Sequence, residues 1–116
     1  MASSSESARA TAARIIAAWL QTGDFPDRML DAVEAHRPFV MEVVLGVVRC
    51  YGALRWLLHQ CAAREPDAAA TAAVLTGFYE ILFMDDSPAF AAVHESVAAA
   101  RQVGGERAAR FANALL

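Results

Sequence analysis

The side chains that could carry chemistry are few, and their spacing does not favour catalysis. The three histidines, His36, His59 and His94, fall on different stretches of the chain. His59 and Cys61 are two residues apart, so on a helix they point to different sides and make a poor metal site. There is no HExxH, no CxxC and no glycine-rich phosphate loop. The serines gather at the start, with Ser87 and Ser96 further on, and none falls in a nucleophile–base pattern. Asp85-Asp86 lies between two helical stretches and reads as a solvated turn rather than a carboxylate pair for a metal. We therefore expect no catalytic site, no metal and no cofactor, in a protein that is not an enzyme.

The charged residues point elsewhere. All ten basic residues are arginine, against thirteen acidic ones, for a formal net charge of −3. A guanidinium grips phosphate bidentately and stacks on bases, so even an acidic chain can bind a polyanion through a local arginine cluster. Two polar residues sit in apolar surroundings: Glu95 between Val93 and Val97, and Asn113 between Phe111 and Leu115. Both are expected to be buried and to hydrogen-bond a neighbouring helix end. Cys50 and Cys61 read as small buried hydrophobes kept reduced.

The elements that must position these residues are helices. Hydrophobic residues make up 57% of the 116, glycine and proline are scarce, and no stretch alternates as a half-buried strand would. Residues 1–5 read as a flexible tail and 6–116 as one domain. Ser5 or Ser7 caps a first helix whose stripe is Ala8, Ala12, Ile15, Ile16, Trp19 and Leu20, closed by Gly23. Arg14 points away from that stripe and Arg9 lies at its edge. Asp24 and Pro26 open a short helix to about Ala35 that turns Met29, Leu30 and Val33 inward. The apolar run from Phe39 to Val48 is expected to be the central helix, with Gly46 where another helix crosses closely. A break near Tyr51-Gly52 precedes a helix carrying Leu54, Trp56, Leu57, Leu58 and Cys61. Asp67 caps a helix over about 68–84 that brings Leu75, Phe78, Tyr79, Leu82 and Phe83 together. Ser87-Pro88 starts the next helix, Gly104-Gly105 ends it, and a last helix runs over 106–116. That makes an all-α bundle of six or seven helices.

Mean hydropathy is slightly positive, yet no apolar run approaches the roughly 20 residues a membrane span needs. No secretory signal pattern opens the chain. These features lead us to expect a cytoplasmic protein with no membrane contact.

Five ordered blocks then resemble one family. HRPFVMEVVLGVVR (His36 to Arg49) resembles the R-x-F-V-x-E-L-V-Y-G-V-L-R block of NusB/RsmB-type domains, and LRWLL (Leu54 to Leu58) the L-D-W-L-L after it. LTGFYEILFMD (Leu75 to Asp85) is similar to L-R-L-G-x-Y-x-L-L-Y-L-D. SPAFAAVHESV (Ser87 to Val97) is similar to I-P-x-x-A-A-V-N-E-A-V, and FANALL (Phe111 to Leu116) to the closing F-V-N-A-V-L-R.

The resemblance implies an all-α fold of two small helical subdomains and an RNA-linked function in one of two branches. One branch holds transcription antitermination factors that bind boxA RNA together with the ribosomal protein NusE. The other holds the N-terminal modules of the RsmB rRNA cytosine-C5 methyltransferases, which Gly46 to Arg49 and Trp56 to Leu58 resemble more closely. The methyltransferase domain of that branch is not among these residues, and Cys50 and Cys61 do not match its motifs, so an excised domain or a free-standing relative is expected. The Arg-rich opening usual in the antitermination branch is thin here, with Ala17 in place of its tyrosine and His94 in place of an asparagine. The resemblance makes Arg9 and Arg14 the first candidates for RNA contact, followed by Arg49, Arg107 and Arg110. The alternative is a protein-interaction domain that keeps the fold, has lost RNA binding, and pairs as a homodimer or heterocomplex.

Overall fold

The helix over Ala68–Phe83 (α5) is apolar on every side, and a helix of that kind belongs in the middle. Every residue from Ala70 to Glu80 is buried. Its alanines supply helix propensity and let neighbouring backbones approach. The Asp67 carboxylate caps it by accepting from the Ala70 amide at 2.9 Å.

Around α5 pack α1 (Ala8–Thr22), α3 (Arg37–Arg49), α4 (Tyr51–Cys61) and α6 (Ala89–Leu115), with a short α2 (Asp27–Asp31) between α1 and α3. The structure is a computed structural model and describes residues 6–63, 66–84 and 89–116. The flexible tail, the Asp85-Asp86 turn and the Ser87-Pro88 helix start expected from sequence lie outside those residues. The described residues form an all-α bundle of six helices with no strand among them.

In α1, Ser7 is the cap, and Ala10, Ala12, Ala13, Ile15 and Ile16 are buried. Gly23 closes the helix at φ 77°. The helix α2 is shorter than the sequence suggests, and Asp24 does not cap it; its N-terminal position is Pro26, with no side-chain bond. The carbonyls behind it are claimed from outside. Arg37 donates through Nη1 to the oxygens of Leu30 (2.5 Å) and Val33 (2.9 Å), the role a cation plays at a helix C-terminus. His36, the residue before α3, has a left-handed backbone with φ 57°.

The centre of the fold is α5, whereas the sequence places it in α3. In α3, Val40, Val43, Val44, Gly46 and Val47 are buried, while Glu42 and Arg49 face solvent. Gly46 does mark a close approach. The Tyr79 ring of α5 occupies the space a Cβ would need, and its hydroxyl donates to Glu42 Oε2 at 3.1 Å. Burial pushes the Tyr79 phenol above its ordinary range, and the bond to Glu42 adds to that. Gly46→Ala is expected to cost about 1–3 kcal/mol, because a buried, hydrogen-bonded ring has little room to give. Urea denaturation measures this, and Gly46→Ala with Tyr79→Leu should recover part of the loss.

The last helix, α6, is two helical segments that meet at a kink where the sequence places the end of one helix and the start of the next. Gly105 has φ 80° and ψ −168°, and Arg101 Nε donates to Glu106 Oε2 across it at 2.6 Å. Leu82 (55%) and Phe83 (55%), which the sequence groups with Leu75, Phe78 and Tyr79, are exposed, and so is Trp56 (63%). On α4 only Leu54 and Leu58 are buried, so Trp56 lies off the inner face. Leu82 and Phe83 lie where α5 emerges from the bundle. Cys61 is exposed and Cys50 half-buried. Glu95 and Asn113 are exposed, so neither needs the buried partner expected of it.

Candidate functional site

The one acidic side chain in α5, Glu80, is buried, its side chain only 4% exposed, and such a carboxylate needs a counter-charge. Arg9, at the half-buried edge of α1, supplies it. Its Nε donates to Glu80 Oε1 at 2.8 Å and its Nη2 to Oε2 in a two-pronged ion pair. Glu95 Oε1 stands 3.9 Å from Nη1. The guanidinium carbon lies over the Phe39 ring, 5.1 Å from its centroid. The Glu80 carboxylate holds the Arg9 guanidinium above its ordinary pKa, so it stays charged.

Beside this pair opens a cavity of about 380 Å³, lined by Ser7, Ala8, Arg9, His36, Phe39, Glu80 and Met84. Its position follows from local rules. Ser7 accepts from the Ala10 amide at 3.0 Å and fixes where α1 begins. The left-handed His36 turns the chain sharply into α3, which brings Phe39 beside Arg9. A non-glycine residue in that region carries backbone strain. His36 also lines a second cavity of about 460 Å³ with Glu6, Thr11 and Arg14.

Arg14 is the second charged fork of α1. It donates from Nε to Glu6 Oε2 at 2.9 Å and from Nη2 to Oε1 at 3.1 Å, and Thr11 adds a bond to Oε1 at 2.9 Å. The Arg14 hydrogen bonds pull the Glu6 carboxyl below its ordinary range, against burial, and Thr11 assists. A depressed carboxyl contributes stability that is present above its unfolded-state value and is lost as pH falls through its folded-state value. Glu6→Gln is therefore expected to remove an acid-sensitive component, so that the variant and the parent converge in stability below the ordinary carboxylate range. Thermal unfolding across that range reads the difference.

Of the arginines singled out in the sequence, Arg9 and Arg14 share α1 and flank neighbouring cavities. Arg49 is exposed at the end of α3, near the Tyr79 phenol, and Arg107 and Arg110 are exposed beyond the α6 break. These three have no ion-pair partner among the described residues. No group of histidine, cysteine and carboxylate side chains able to hold a metal occurs among the described residues. Sequence reasoning missed Glu80, Phe39 and His36 as parts of one site. A signal for Glu80 existed: a lone acid in an otherwise uncharged run from Ala68 to Phe83 has to meet a cation from elsewhere.

A helical bundle built round a buried central helix, with a charged cavity at the start of its first helix, is the architecture these residues form. The chain belongs to the NusB family, whose model matches residues 6–116. Among solved structures it is similar to the NusB of a crystal structure of antitermination factors NusB and NusE in complex with dsRNA. That likeness has a TM-score of 0.80 at 17% identity, covering 93% of this chain and 89% of that one. Comparison with curated protein sequences finds no significant match. No helix of the described residues is long and apolar enough to cross a membrane.

Proposed function

We propose that this chain is a non-catalytic RNA-binding module that docks on RNA, in rRNA recognition or transcription antitermination, with a NusE-like ribosomal protein as its protein partner. The observation that carries this reading is the pair of guanidinium forks on α1, Arg9 and Arg14, each lining a cavity near the start of the helix. Family membership and the likeness to a NusB from an RNA complex support it. Arg14 is a phosphate-contact candidate: its side chain is about half-exposed, and ion pairs reached by solvent are weak enough to exchange. Arg49, Arg107 and Arg110 are candidates for outlying phosphates.

The test is equilibrium binding of rRNA fragments and boxA-like RNA across a salt series. Neutralised phosphates make the logarithm of affinity fall linearly with that of salt concentration. Arg14→Ala should reduce the slope by about one. No binding at low salt would overturn the reading.

A second reading has its own observation. Phe25, Trp56, Leu82, Phe83 and Phe90 are all more than half exposed, and large apolar side chains in that state suit protein contact. It expects a stable homodimer or heterocomplex in light scattering that forms without RNA.

A further inference from the structure

We propose that the cavity between the starts of α1 and α3 receives one unstacked guanine base, with Arg9 reading its edge and Phe39 giving it an aromatic wall. This rests on the RNA-binding reading above, and it assigns Arg9 to a base rather than to a phosphate.

The charge balance carries the choice. Nε and Nη2 of Arg9 are already engaged by Glu80, and Glu95 lies 3.9 Å from Nη1. A phosphate entering here would bring its negative charge against two carboxylates. A neutral planar ligand meets no such repulsion. The side-on grip of Glu80 leaves the end of the guanidinium, with N–H groups on both Nη atoms, unclaimed by that carboxylate. A guanidinium end presents two parallel donors, the geometry that pairs with O6 and N7 of guanine and forms the commonest specific arginine–base contact. Glu80 therefore acts as a positioning residue, locking the fork in one orientation from its buried place on α5.

The walls fit the same ligand. Phe39 and Met84 line the space with apolar surface, and His36 adds an imidazole. RNA is read mostly through splayed bases that stack on aromatic side chains. Phe39 already has Arg9 over its ring, so the aromatic surface and the donor fork are fixed relative to each other.

The experiment uses the full chain and labelled single-stranded oligouridines carrying one central guanosine, inosine, 7-deazaguanosine or adenosine, followed by anisotropy at several salt concentrations. Guanosine and inosine keep O6 and N7, and are expected to bind about 10- to 100-fold more tightly than adenosine or 7-deazaguanosine. Arg9→Lys keeps a charge for Glu80 but loses the fork. It should erase the discrimination while leaving the salt slope unchanged, and Phe39→Leu should weaken the guanosine probe most. Equal affinity for all four probes overturns the inference and leaves the RNA reading standing, as does an Arg9→Lys variant that keeps the discrimination. Absence of binding to any probe at low salt overturns both. Should Arg9→Lys fail to fold, the four probes and Phe39→Leu decide the matter alone.

Discussion

Replacing Arg9 with methionine is expected to destabilise the chain by about 3 kcal/mol, a large fraction of the stability of a domain this size. The substitution keeps much of the side chain's apolar bulk over Phe39 and removes the charge. What it leaves behind is the damage: Glu80, buried on the central helix, holds a carboxylate with no cation to face. Breaking a buried pair costs about 3–5 kcal/mol, and the partial exposure of Arg9 (21%) places this one at the lower end. The partner change makes the argument specific. Arg9→Met combined with Glu80→Leu removes both charges and should return most of the loss, since an apolar pair of similar size meets no desolvation penalty. Urea midpoints of the two singles and the double give the coupling, expected to be strongly non-additive. Additive losses would mean that the pair is incidental to the fold.

The other large effect comes from the core. Leu75 is wholly buried at the middle of α5, and Leu75→Ala should cost about 2–5 kcal/mol through lost burial and the void it opens. Because α5 packs against α1, α3, α4 and α6, the loss is felt by the whole bundle. Denaturation should stay a single transition with its slope against urea unchanged and its midpoint lowered. The same substitution at Leu82, where α5 has reached the surface, should change stability by less than about 0.5 kcal/mol.

Much of this architecture is legible in the residues, because caps and breakers act locally. Ser7, Gly23, Asp67 and the glycine pair at 104–105 each announce themselves by side-chain chemistry or backbone freedom at a single position. Which helix lies at the centre is not local. The valines of α3 make it look the more apolar, yet Glu42 and Arg49 reserve one of its faces for water. Ala68–Phe83 carries one charged residue in sixteen where α3 carries three in thirteen, and the small alanines of α5 allow four neighbours to close round one helix. Exposure of Trp56 and Phe83 escaped notice for the same reason. Hydrophobicity states what a side chain prefers, and the positions of the other helices decide what it gets.

The candidate site was visible only in part. Arg9 and Arg14 stand out as cations on one amphipathic helix. Nothing near them in the chain says that Arg9 faces a carboxylate 71 residues away, or that Arg14 is held by Glu6. Long-range pairing of that kind is set by the packing of α1 on α5. The left-handed turn at His36 is equally hidden, since histidine's enrichment in that conformation is too weak to single out one position. Together these two features convert a pair of arginines into a cavity with a defined donor fork and an aromatic wall.

The central claim is that RNA meets this chain at the start of α1 and the turn into α3. Amide NMR of the labelled chain, titrated with a single-stranded RNA that contains guanosine, tests it most directly. The account predicts saturable shifts concentrated at residues 7–14 and 36–40, with the Glu80 amide among those affected. Shifts confined to the far part of α6 around Arg107 and Arg110, with the α1 start unmoved, would contradict it.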